Sequence, residues 1–138
     1  EGFSKPRIAL PGVLAIQGPG FKNATTATDE AEALCRYLES PMWPEGLPLV
    51  VLVDDSEFTA AKLNNFLWVT FTRSNPSHDI YGAHSSIVHK HWGCRGPLVI
   101  DARIKPHHAP PLVEDAAVNK RVDAHFAAGG ELSGISRS

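Results

Sequence analysis

The sequence is poor in cysteine, since its 138 residues include only Cys35 and Cys94. Two cysteines are too few for the disulfide framework of a small secreted domain and are typical of a reducing compartment, so we expect a cytoplasmic protein. No basic segment followed by an apolar segment opens the chain, which argues against a secretory signal. The longest apolar runs, such as "PLVVLV" and "FLWVTF", reach about a third of a membrane span. The sequence therefore predicts no membrane-spanning segment.

An excess of basic charge is also missing. The chain has 13 Lys and Arg residues against 15 Asp and Glu residues, for a formal net charge of −2. A nucleic-acid-binding domain presents a clustered basic surface, so this balance argues against a nucleic-acid partner. The chain also lacks an initiator methionine, because it begins with "EGFSKP". We expect from this that the chain is processed or is a piece of a longer protein.

Apolar runs predict the strands of the fold. Residues 7–16 predict one strand, or two short strands around a Pro-Gly turn. The continuous apolar run at residues 47–53 predicts a central strand that is buried on both faces. Two further strands are predicted at residues 80–83 and 97–101, with a histidine-rich loop between them.

Helical spacing of apolar residues predicts three helices. The first begins at Thr28, and the second follows Ser56, which would be its N-cap. The second helix is apolar nearly all round, which is typical of a buried helix. The third begins at Asp115. Alternating strands and helices predict a single three-layer α/β domain over residues 1–138, with a mixed β-sheet and helices on both faces.

Asp54 and Asp55 end the predicted central strand, at the position where α/β proteins usually bind ligands. Paired carboxylates at such a position can bind Mg²⁺ or accept a phosphoryl group. The same two residues can instead end the strand and cap the next helix. The first interpretation gives one alternative function, an independent binding or regulatory module.

The stretch "HSSIVHKHWGCRG" at residues 84–96 places His84, His89 and His91 close to Trp92. Imidazoles are ligands of zinc, and an H-x-H pair on a strand would point both rings to one face. Because no C-x-x-C or H-E-x-x-H motif accompanies them, we expect no bound metal. A small metal-binding protein built on this loop is the second alternative function. Taken by themselves, these residues favour a polar surface loop.

Two blocks of the sequence resemble one known family. The first, "PLVVLVDDSEFTAAKLNNFLWVTFTRSNPSHDIYG", joins an Asp-ended apolar strand to a helix with Asn and Trp before Thr-Arg and a Pro-containing turn. The second, "GPLVIDARIKPHH", has Asp101, Ala102 and Lys105 in a glycine-hydrophobic-Asp-Ala-x-x-Lys order. With the final segment "EDAAVNKRVDAHF", these blocks resemble the C-terminal domain of UbiD-type (3-octaprenyl-4-hydroxybenzoate carboxy-lyase-like) decarboxylases. The resemblance is best over residues 47–126.

This resemblance implies a role inside a longer enzyme. UbiD-type enzymes remove or add CO₂ on aromatic or unsaturated carboxylic acids, using prenylated FMN with a divalent metal and potassium. The separate cofactor domain and its Glu-Arg-Glu set cannot be located in this sequence, and Leu47-Pro48 stands where many relatives place a cofactor-proximal Lys. We therefore expect a parent carboxy-lyase, and an isolated chain that binds no cofactor and is inert. Its partners would be the remaining domains of that parent and further copies in a homo-oligomer.

The resemblance also implies which residues meet the substrate. In the family, the segment between the two matched blocks faces the substrate pocket. The substrate-binding residues predicted here are His84, His89, His91 and Trp92. Trp92 would stack on an aromatic substrate, while a histidine would orient a ring hydroxyl or carboxylate. No catalytic residue and no cofactor-binding residue is assigned.

Overall fold

A five-stranded sheet forms the core of residues 2–108. This computed structural model describes residues 2–108 and 115–135. The chain divides into two compact units, residues 1–108 and residues 109–138. The elements of the first unit are β1 (Ser4–Leu10), β2 (Val13–Gln17), α1 (Ala24–Leu38), β3 (Leu49–Val53), α2 (Ser56–Ala61), α3 (Leu63–Thr72), β4 (Ile80–Gly82), β5 (Ser85–Val88), β6 (His91–Cys94) and β7 (Leu98–Asp101). The second unit contains α4 (Ala116–Phe126).

The sheet is mixed, in the order β1-β2-β3-β7-β4. Strands β2, β3 and β7 are parallel, whereas β1 and β4 join the two edges in antiparallel pairing. Strands β5 and β6 form a separate two-stranded sheet. Because parallel strands end at the same side, the residues that follow β2, β3 and β7 meet there. We call this side the carboxyl edge.

Helices cover both faces of the sheet. On one face, α1 packs into a cluster of Leu14, Ile16, Leu34, Cys35, Leu38, Val50, Leu52, Ala83 and Val99. On the other face, α3 packs into a cluster of Ala15, Val51, Val53, Phe66, Val69 and Ala102. Successive residues of a strand point to opposite faces, so a central strand covered on both sides must be apolar throughout. The predicted three-layer arrangement, with β3 at its centre, is confirmed.

The first helix begins one turn earlier than predicted. Asn23, not Thr28, precedes its first turn, and the Asn23 side chain accepts a hydrogen bond of 2.9 Å from the Thr26 N–H. Apolar spacing pointed to the correct face, because Ala31 and Leu34 are buried. The start was missed because a cap acts through one local hydrogen bond and adds nothing to the apolar pattern.

The second predicted helix is two helices. Lys62, at φ −151° and ψ 149°, is extended and separates α2 from α3. Asp55 caps α2 by accepting from the Phe58 N–H at 2.9 Å, whereas Ser56 lies inside the helix and donates to the Lys5 carbonyl at 2.6 Å. The prediction of one buried helix capped by Ser56 is therefore wrong. One side of α3 packs on the sheet and its other side, with Phe71, is exposed.

The predictions for residues 7–16 and for the last helix agree more closely with the structure. Residues 7–16 form two strands, β1 and β2, with Gly12 between them at φ 81°. That outcome matches the second of the two predicted arrangements. In the second unit, Asp115 caps α4 by accepting from the Ala117 N–H at 2.7 Å, as predicted.

Candidate substrate cleft beside the histidine hairpin

The histidine-rich stretch is a β-hairpin, so the prediction of a loop is wrong. Strands β5 and β6 pair in antiparallel register, with Val88 opposite His91. The two residues between them, His89 and Lys90, have φ values of 51° and 67°. Two central residues with positive φ define a type I′ turn, whose twist matches that of the flanking strands. The usual Asn-Gly signal of this turn is absent, so the sequence pattern missed the hairpin.

His84 lies in the turn between β4 and β5, at φ 50°. Its backbone N–H donates a 2.8 Å hydrogen bond to Oε1 of Glu39, which is the C-cap residue of α1. The Nδ1 atom of His84 lies 4.0 Å from the same oxygen. His84 therefore ties the base of the hairpin to the end of α1.

The hairpin has two different faces. Cross-strand partners share a face and neighbours along a strand point to opposite faces, so Trp92 shares a face with Ile87 and Cys94. His91 lies with Val88 on the opposite face, and His89 lies in the turn. Because His89 is in the turn and only His91 is on a strand, this pair does not have the geometry of an H-x-H pair on a strand. The structure does not bring the four predicted residues together around one point.

The Trp92 face closes over strand β4 at Gly82. A Cβ atom added at Gly82 would lie 3.3 Å from Cη2 of Trp92 and 2.5 Å from Cβ of Cys94. Only a residue without a side chain permits this approach. Gly82 therefore sets how closely the hairpin sits on the sheet.

A cleft of about 280 Å³ lies between this hairpin face, β4 and α1. It is lined by Glu32, Cys35, Arg36, Glu39, Ile80, Tyr81, Gly82, Ser85 and Trp92. Of the predicted substrate residues, only Trp92 is among them. The α1 residues of the lining were missed, although positions 32, 35, 36 and 39 have the spacing of one helix face. That spacing gives no sign of which element the face meets.

The ionisable groups of the cleft are two carboxylates, one guanidinium, one thiol and one phenol. Glu32 pairs weakly with Arg36 at 3.8 Å, and both side chains are exposed. Burial, followed by the Glu39 carboxylate, raises the pKa of the Cys35 thiol to about 11. The thiol therefore stays protonated at neutral pH and is not an activated nucleophile. Burial also raises the pKa of Tyr81, against the opposing effect of its 3.3 Å hydrogen bond with Thr28.

Asp54 and Asp55 have structural partners. Asp55 caps α2, and Oδ2 of Asp54 accepts from the Ile104 N–H at 2.8 Å and lies 3.4 Å from Nη1 of Arg73. These contacts match the capping interpretation that the sequence left open. They do not favour the alternative of a module that binds a metal or a phosphoryl group through this pair.

The carboxyl edge holds a buried ion network. The Arg103 side chain is fully buried, donates from Nε and Nη2 to Asp101 at 2.9 and 2.8 Å, and also donates to Glu30 and to the Pro19 carbonyl. Burial acts to lower the pKa of Arg103, but hydrogen bonds to Asp101 and Glu30 outweigh it and raise the pKa above its usual value. Arg103 therefore remains charged and ties the end of β7 to α1.

Lys105 belongs to the same network. Its Nζ donates to the carbonyls of Asp101 at 2.9 Å and Arg73 at 3.1 Å, and lies 3.4 Å from Oδ1 of Asp79. Prenylated FMN, which the resemblance implies for the parent, would need cationic donors for its phosphate. The donors of Arg103 and Lys105 are engaged by protein groups, so these two residues do not fit that cofactor.

The described residues give little support for a metal site. Across residues 2–108 and 115–135, no three His, Cys, Asp or Glu side chains cluster so that they could hold a metal ion. The three histidines are exposed and lie apart, His84 in the β4–β5 turn, His89 in the hairpin turn and His91 on one face of the hairpin. The alternative of a small metal-binding protein built on this stretch is not favoured.

The chain has relatives in sequence, although no family model matches it. It is 33% identical over 126 residues to an uncharacterized protein of Chlamydia muridarum, covering 91% of this chain and 21% of that protein. It is also 32% identical over 81 residues to a 4-hydroxybenzoate decarboxylase subunit of Chlamydia pneumoniae, covering 59% of this chain and 14% of that relative. The chain thus spans about a fifth or less of the relatives it matches.

The chain therefore contains a segment related in sequence to part of a decarboxylase. At that level the resemblance inferred from the two sequence blocks is confirmed. Among solved structures, the vanillic acid decarboxylase of Sedimentibacter hydroxybenzoicus in open form has a TM-score of 0.48 and 17% identity, covering 81% of this chain and 26% of that chain. Separately, no helix in the described residues is long and apolar enough to cross a membrane.

Proposed function

We propose that this chain is the C-terminal substrate-pocket and oligomerisation domain of a UbiD-type carboxy-lyase for aromatic or unsaturated carboxylic acids, and that it is inert alone. The observation that carries the proposal is the 32% identity to a decarboxylase subunit of which the chain spans only 14%. A chain that matches so small a part of a decarboxylase would supply one component of its machinery. Prenylated FMN, the divalent metal and potassium would be held by the remaining domains of the parent.

In this proposal the hairpin is one wall of the substrate pocket. Trp92 is half-exposed beside the cleft and offers an aromatic substrate a stacking surface, which is worth roughly 0.5–1.5 kcal/mol beyond area burial. His84 fixes the base of the wall through Glu39. Substrate contact by His89 and His91 stays a prediction, because they lie in the turn and on the outer face of the hairpin, away from the cleft that Trp92 lines.

Cellular location and self-association complete the proposal. Cys35 and Cys94 are both free thiols, which suits the reducing cytoplasm.

Helix α4 has no buried residue, and its Val118 is 40% exposed. An apolar helix face without full burial suits a contact between protomers. We therefore assign self-association to α4.

The test exchanges one segment between relatives. The matched segment of the Chlamydia pneumoniae decarboxylase is replaced by this chain, and CO₂ release from 4-hydroxybenzoate is measured in the chimera. We expect the chimera to retain decarboxylation. Trp92→Ala should raise KM while leaving the flavin absorbance unchanged, whereas Ile87→Ala, which is on the same hairpin face but outside the cleft lining, should change neither.

Two outcomes would contradict the proposal. One is a chimera that folds and binds flavin yet releases no CO₂. The other is CO₂ release from an aromatic acid by the isolated chain supplied with prenylated FMN, since that would show that the chain is not inert alone. Circular dichroism of the chimera separates the first outcome from a simple failure to fold.

A further inference from the structure

The cleft beside Trp92 carries a negative charge that bears on what it can bind. Its charged lining residues are Glu32, Glu39 and Arg36, two carboxylates and one guanidinium. Arg36 already faces Glu32 at 3.8 Å and is exposed to solvent, so it attracts a second anion only weakly. An aromatic carboxylate placed in the cleft would meet a net negative charge, which disfavours its ionised form there.

Glu39 is held in place as a hydrogen-bond acceptor. Its Oε1 accepts the His84 N–H at 2.8 Å, and the Glu39 side chain is 36% exposed. A carboxylate has two oxygens and about four acceptor positions, so this bond leaves acceptor capacity free. Because the bond joins α1 to the base of the hairpin, it keeps the carboxylate beside the wall that carries Trp92.

We infer that this cleft receives the phenolic end of an aromatic substrate, with the ring on Trp92 and the ring hydroxyl donating to Glu39, while the substrate carboxylate points away. The inference rests on the proposed function and deepens it, since it makes Glu39 a specificity-determining residue. A hydrogen bond from a neutral hydroxyl to a carboxylate is charge-assisted and avoids repulsion. The carboxylate would then be left for the parts of the parent that carry out the chemistry.

The experiment measures binding of three matched probes to the full chain by NMR. The probes are p-cresol, with a donor; 4-methylanisole, in which a methyl group removes the donor; and 4-methylbenzoate, in which a carboxylate replaces the hydroxyl. The indole N–H resonance of Trp92, assigned through Trp92→Phe, reports binding. We expect p-cresol to bind about tenfold more tightly than either other probe, as a hydrogen bond to a charged group implies.

Two variants test the role of Glu39. Glu39→Gln keeps an oxygen that can accept the His84 N–H but removes the charge, so the preference for p-cresol over 4-methylbenzoate should fall several-fold. Glu45→Gln makes the same change outside the cleft and should leave the preference unchanged. Equal binding of p-cresol and 4-methylbenzoate, or an unchanged preference in Glu39→Gln, overturns this inference alone. No saturable shift with any probe overturns both the inference and the proposed substrate wall.

Discussion

Trp92 lies directly over Gly82, where a Cβ atom would come within 3.3 Å of the indole and within 2.5 Å of Cβ of Cys94. We expect Gly82→Ala to push the hairpin off β4 and to destabilise the protein by about 1–3 kcal/mol, as overpacking usually does. Gly93→Ala is the matched control, because nothing lies within 4 Å of a Cβ at that position of the same hairpin. Urea denaturation checks the prediction, and equal effects of the two substitutions would contradict it.

The type I′ turn gives a stabilising substitution. Lys90 has a φ of 67°, a conformation that costs a non-glycine residue about 1–2 kcal/mol. Lys90→Gly should therefore slow amide hydrogen exchange in β5 and β6, by up to about tenfold. At Lys62, where φ is −151°, glycine relieves no strain, so Lys62→Gly should slow no exchange in the hairpin. Unchanged or faster hairpin exchange in Lys90→Gly would show that the turn is not strained.

We expect that breaking the buried Arg103 ion pair lowers the free energy of unfolding much more than breaking an exposed ion pair. Arg103→Met leaves Asp101 buried without its bidentate partner, which should cost about 3–5 kcal/mol of unfolding free energy. Arg7→Met breaks the exposed pair with Glu57 and should cost less than about 1 kcal/mol. Chemical denaturation of both variants tests this, and comparable losses would refute the structural role of Arg103.

Cys35 predicts a loss of stability at alkaline pH. The folded thiol has a pKa of about 11, above its value in the unfolded chain, so the folded state holds its proton more tightly. The protonated thiol therefore adds to the free energy of unfolding. This stabilisation is fully present below about pH 9 and falls by about 2–3 kcal/mol as the pH rises toward 11. Tyr81, whose pKa is also raised, acts in the same direction. Melting temperatures from pH 8 to 11 should fall less steeply in Cys35→Ala than in Cys94→Ala.

Self-association through α4 predicts a concentration-dependent mass. Val118 and Val122 lie on one side of this helix, together with Arg121 and His125 around a small surface depression. Phe126→Asp places a charge at the end of the apolar face and should shift the chain toward monomer in light scattering. Ala124→Asp adds the same charge at an exposed position on the opposite side of α4 from Phe126 and is the control. A wild-type monomer at high concentration would contradict the proposal.

Local patterns of the sequence determined the layers of the fold. The uninterrupted apolar run of β3 can be satisfied only by burial on both faces, and α1 repeats its apolar residues at the spacing of one helix side. Each of these signals depends on residues within a few positions of one another. For that reason the central strand, the mixed sheet and the helices on both faces were predictable without coordinates.

Only the tertiary structure decided the site. An extended Lys62 divides one apolar stretch into α2 and α3, and the hairpin depends on a turn formed by His89 and Lys90 without the usual glycine. The cleft joins Glu39 to His84 across 45 positions of sequence and places Trp92 on Gly82. The family resemblance marked His84, His89, His91 and Trp92 as one substrate-binding group, but the alternation of side chains along β6 separates Trp92 from His91. Contacts between distant segments have no periodic signature, so a sequence pattern can propose such a site without showing which side chains share it.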